Sequence, residues 1–130
     1  MIKLFLAVLV SFTFNLEGSG FKEKYMLKNG CENIIKNNYK DSDANLVTGY
    51  ILGYTKALIT ELEVYGLNIS KSIELQQVCN RYLEVTTSMN IPDSEKHFPF
   101  LELTLDFELM ILNNYDKFTI RDLREKYKND

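Results

Sequence analysis

The chain has 130 residues, a formal net charge of −3, two cysteines, one histidine and no tryptophan. Lysine and arginine are interspersed with a slight excess of aspartate and glutamate, so no basic face stands ready to neutralise phosphates and nucleic acid is not an expected partner. No glycine-rich linker, repeat or low-complexity run divides the chain, whose size suits one small domain.

Met1, Ile2 and Lys3 make a short basic start, and residues 4–14 (LFLAVLVSFTF) make an apolar run of signal-peptide length, too short to span a bilayer. Gly18 and Gly20 are the small residues that a cleavage site needs. Residues 1–20 therefore read as a secretory signal and 21–130 as a mature domain that is periplasmic or secreted. No later segment is apolar enough for stable membrane insertion. Exported chains meet oxidising conditions, so Cys31 and Cys79 are expected to form one disulfide. The cysteines are 48 residues apart, and closing a loop of that size stabilises by about 4 kcal/mol on chain entropy alone.

Residues 22–39 carry apolar side chains at Tyr25, Met26, Cys31, Ile34 and Ile35, the face of a first helix that includes one cysteine. Asp43 or Asn45 is placed to cap a second helix over 46–65, where Val47, Tyr50, Ile51, Tyr54, Leu58, Leu62 and Tyr65 keep helical spacing. Gly49, Gly53 and Ala57 form a small-residue stripe on that helix. Each glycine costs about 1 kcal/mol of propensity, which would be offset if another helix packed closely there.

Gly66 ends the second helix, and Ser70 or Ser72 is placed to cap a third, with Glu74 in its first turn. Leu75, Val78, Cys79, Tyr82 and Leu83 give the third helix its buried face and the second half-cystine. Residues 86–99 read as loop, with Pro99 suited to open a fourth helix. Residues 101–109 (LELTLDFEL) alternate at strand period. A lone strand would have nothing to pair with, so this segment is also expected to be helical. Thr119 to Asp122 resembles a capping box that opens a short, highly charged terminal helix through Tyr127. The whole reads as an all-α domain of four to five helices held by one disulfide.

Candidate chemistry is sparse. His97 has no nucleophile in a recognisable context, because both cysteines are expected to be bridged and Ser94 lies in no G-x-S-x-G setting. Pairs such as Asp41/Asp43 and Asp106/Glu108 lack the spacing of a calcium loop, so no metal, cofactor or catalytic residue is expected. Eight tyrosines and eight phenylalanines point instead to a surface that buries area and still hydrogen-bonds. Candidates for contact with a partner are Tyr50 and Tyr54 on the long helix. To these are added Asn68 and Ser70 in the 66–71 loop, and Asn90, Asp93 and His97 in the 86–99 loop.

Several segments occur together in order. They are Asn29-Gly30-Cys31, Gly49-Tyr50-Ile51-Leu52-Gly53, and Leu75-Gln76-Gln77-Val78 leading into Arg81-Tyr82-Leu83-Glu84, followed by Pro92 and His97 before an apolar helix. Together they resemble the Rap/Tai type of type VI secretion immunity protein. The chain departs from that pattern at Leu46 or Val47 and at Met110 to Leu112, where the family often has cysteines, and from Asn113 onward. The resemblance implies an HdeA-like helical fold and a homodimer. It also implies a periplasmic, non-enzymatic protein that inhibits a secreted cell-wall-degrading toxin of amidase type. The alternative it implies is an HdeA-like acid-stress chaperone, whose partners would be unfolded clients.

Overall fold

The structure is a computed structural model that describes residues 17–90, 98–115 and 117–129. Five helices follow one another within these residues, with no strand: α1 (Glu17–Ile35), α2 (Ser42–Val64), α3 (Leu75–Ser88), α4 (Phe98–Leu112) and α5 (Ile120–Asn129). The alternating segment 101–109 is thus helical, as the lack of a strand partner required. Helix α1 begins at Glu17, within the stretch read above as the end of a signal, while residues 1–16 lie outside the described residues.

Leu27, Cys31 and Ile34 line the buried face of α1, which packs against α2 and α3. The Cys31–Cys79 disulfide joins α1 to α3 with 4.9 Å between the two Cα atoms. The α1–α2 approach is closest at Gly30, where a Cβ would collide with the Val47 side chain and lie 2.7 Å from the Asp43 carbonyl oxygen. The small-residue stripe plays no such part. Gly49, Gly53 and Ala57 are all exposed, and an added Cβ on either glycine would meet nothing within 4 Å, which corrects the expectation of a helix packed there.

Helix α2 is capped by Asp41 and not by Asp43 or Asn45: its Oδ1 accepts from the Asp43 and Ala44 amides at 2.9 and 3.1 Å. Ala44, Val47, Ile51, Thr55, Leu58 and Leu62 then bury one continuous side. Gly66, at φ 86°, ends α2 by letting the Leu67 amide reach back to the Leu62 carbonyl at 3.0 Å. Asparagines do the same work at Asn37, Asn90 and Asn114, all at positive φ. Helix α3 starts later than a serine cap would place it. Glu74 occupies the cap position, and its side chain makes no capping bond.

Two apolar clusters result. The larger unites Leu27, Cys31, Ile34, Val47, Ile51 and Val78 with the first half of α4 through Leu101 and Leu105. The smaller gathers Leu58, Leu62, Leu109 and Met110 around Ile120 and Leu123 of α5. Thr119 Oγ1 caps α5 by accepting from the Asp122 amide at 3.1 Å. Glu61 holds the same helix through Arg124 at 2.6 and 2.7 Å. The charged terminal helix is therefore docked along α2.

Candidate functional site

Helix α4 carries two apolar rows. Read at 100° per residue, a period-two pattern splits into Leu101, Leu105 and Leu109 on one side and Leu103, Phe107 and Ile111 about 160° away. The first row is fully buried. The second remains 62, 64 and 46% exposed, an unusual placement for three large apolar residues in succession along one helix.

This outer row borders a groove between α3 and α4. Val85 and Met89 form one wall and Phe100, Leu103 and Phe107 the other, enclosing about 390 Å³, with Met89 itself 67% exposed. Arg81 closes one end. Its Nε donates to Glu108 Oε1 at 2.9 Å, and Gln77 Nε2 donates to Oε2 at 2.9 Å, so both oxygens of a buried carboxylate are satisfied. Gln77 and Arg81 are four residues apart and so lie on the same side of α3, which lets both reach one acceptor on α4.

Beyond Arg81 a second, polar groove of about 480 Å³ runs past Gln77, Asn80, Glu84 and Glu108 to Glu74. The two grooves share Arg81 and together follow the length of α3. Their chemistry is that of a recognition surface with apolar walls at one end and carboxylates and amides at the other. Among the described residues, no three His, Cys, Asp or Glu side chains converge as a metal set would.

Tyr50 and Tyr54 are not available to a partner in the way the sequence suggested. The Tyr50 hydroxyl donates to Glu102 and the Tyr54 hydroxyl to Asp106 Oδ1 at 2.8 Å, so the pair forms a seam between α2 and α4. Burial pushes both phenols up, and the carboxylate acceptors add to the effect. Burial also pushes Asp106 up, against the bond from Tyr54 that holds it down. The Tyr50 ring further packs on Phe98 at 4.5 Å between centroids.

The 66–71 loop is pinned rather than free. Tyr115 Oη accepts from the Asn68 amide at 3.0 Å and donates to its carbonyl at 2.9 Å, while Asn113 Oδ1 accepts from the Ser70 and Lys71 amides. Asn68 and Ser70 are still solvent-exposed, held beside the C-terminal end of α4 by Tyr115 and Asn113. Asn90 ends α3 at positive φ, which accounts for the residue without a partner. The loop expected over 86–99 is shorter, since α3 continues to Ser88 and α4 starts at Phe98. Asp93 and His97 lie outside the described residues. Sequence reasoning missed Arg81, Met89, Leu103, Phe107 and Glu108 as site residues. The readable signal was the number of apolar residues in α4, more than one face of a helix can bury.

The chain belongs to no family that a comparison identifies: no protein-family model, curated protein or solved structure matches it.

Proposed function

We propose that this chain is an exported, non-enzymatic binding protein that holds a protein partner against the α3–α4 face. The observation that carries this reading is the outer row of α4, because three large side chains left in water beside a preformed apolar groove are what a partner's hydrophobic residues would cover. The resemblance of the Gly49 to Gly53 and Leu75 to Glu84 segments to immunity proteins supplies the class of partner, a secreted cell-wall amidase whose active site is occluded. That partner would be met in the periplasm, where the disulfide is stable.

The test is inhibition of such an amidase by the mature chain at neutral pH, using the wild type and Phe107→Ser. Inhibition that Phe107→Ser abolishes supports the reading. Equal inhibition by both would move the binding surface elsewhere. Failure to inhibit, joined with suppression of aggregation of unrelated proteins only near about pH 3, where carboxylates are protonated, would favour the acid-chaperone alternative.

A further inference from the structure

We infer that the segment filling this face is a basic, amphipathic helix of the partner, with apolar side chains in the α3–α4 groove and lysine or arginine side chains in the adjoining polar groove against Glu84 and Glu74. The inference rests on the binding role proposed above and adds the chemistry of the occupant.

Charge decides the sign. The polar groove holds three carboxylates, Glu74, Glu84 and Glu108, and one guanidinium, Arg81. Arg81 is committed to the buried Glu108 through its Nε. Glu74 and Glu84 are exposed, and neither carboxylate makes an ion pair or side-chain hydrogen bond among the described residues, although Glu84 lies in the field of Arg81. Helix α4 cannot redress the balance, since its sequence FPFLELTLDFELMIL has no lysine, arginine or histidine. An acidic peptide would meet a groove with an excess of two carboxylates, whereas a basic one would neutralise that excess and be steered by the overall charge of −3.

Length decides the shape. From Glu74 to Met89 the α3 axis rises about 22 Å at 1.5 Å per residue, which matches roughly four turns of a docked helix. A helix laid along α3 would present one apolar row to Val85, Met89, Leu103 and Phe107. Its next turns would then bring basic residues over Glu84 and Glu74.

The chain lacks tryptophan, so a single tryptophan in a synthetic peptide reports binding without background. Two 16-residue amphipathic peptides serve as probes, each with the same leucine and phenylalanine row, one flanked by lysine and the other by glutamate. The full mature chain should bind the lysine peptide saturably at one to one. Binding should weaken about tenfold in Glu84→Lys, measurably in Glu84→Gln, and about tenfold or more in Phe107→Ser. Glutamate-peptide binding as tight as lysine-peptide binding would overturn the inference, as would saturable binding indifferent to Glu84→Lys. A wild-type dimer in sedimentation that Phe107→Ser makes monomeric would overturn it too, because a second copy would then be the occupant. If Glu84→Lys still inhibits the amidase while Phe107→Ser does not, the binding role stands and the basic-helix inference falls.

Discussion

Arg81 donates to Glu108 at 2.9 Å across the α3–α4 junction, yet the guanidinium is 47% exposed and the carboxylate 4%. The two ends of the pair therefore have unequal alternatives. If the carboxylate is removed, Arg81 turns to water; if the guanidinium is removed, a buried charge is left with Gln77 alone. Glu108→Gln should thus lower stability by about 1 kcal/mol, and Arg81→Ala should lower it further. Urea unfolding of the two variants checks the order, and the reverse order would mean that Glu108 reaches solvent.

The two rows of α4 predict opposite responses. Leu105→Ala empties a fully buried position and should cost about 2–5 kcal/mol. Phe107→Ser removes a side chain already 64% exposed and should change stability by no more than about 0.5 kcal/mol. Thermal unfolding distinguishes them. A large loss in Phe107→Ser would assign the outer row to the core.

Glycines on neighbouring helices should also diverge. Gly53→Ala adds a Cβ into open space on an exposed helix and should stabilise by about 1 kcal/mol. Gly30→Ala drives a Cβ toward Val47 and the Asp43 carbonyl and should destabilise by about 1–3 kcal/mol. Melting temperatures moving the same way in both would contradict the close α1–α2 crossing.

Acid should loosen the terminal helix. Hydrogen bonds from Arg124 hold Glu61 below its ordinary value, with the Tyr65 hydroxyl contributing in the same sense. A depressed carboxylate stabilises fully above its unfolded value, and that contribution is lost as pH falls through the folded one. Asp106 runs the other way, because burial raises it and protonation relieves it. Between about pH 6 and pH 3 the melting temperature of Arg124→Ala should therefore fall less than that of the wild type. Asp106→Asn, which keeps an acceptor for Tyr54, should be at least as stable as the wild type at neutral pH. A steeper fall in Arg124→Ala would reverse the assignment of Glu61.

Replacing both Cys31 and Cys79 by alanine should cost about 4 kcal/mol for a separation of 48 residues. Urea midpoints measure the loss, and alkylation of the unreduced protein should label no thiol.

What could be read before the structure follows from where the information lies along the chain. Val47, Ile51, Leu58 and Leu62 repeat at helical spacing, so α2 and its inner face were legible locally. The pairing of Cys31 with Cys79 followed from an even count and the expectation of export. Helix α4 was legible as a helix, but its period-two pattern offers two equivalent rows, and only the position of α2 and α3 decides that Leu105 is covered and Phe107 is not. The glycines failed for a related reason. Gly49 and Gly53 lower helix propensity whatever stands opposite them, whereas Gly30, the one in close contact, lies in no stripe. Glu108 read only as one half of an acidic pair, because its partners Gln77 and Arg81 are brought over it by the packing of α3 on α4.

The bond between Cys31 and Cys79 closes the chain into a ring that contains the whole of α2, with α4 and α5 as a tail beyond it. Both exposed connections flanking α2, near Lys40 and near Lys71, lie on the ring. A protease cutting at either one opens the ring without dividing the molecule, because the disulfide keeps both pieces covalently joined. A nicked protein would keep its two pieces joined until a reductant released them, so the same covalent link that holds α1 to α3 also makes a single cut in either connection insufficient to divide the chain.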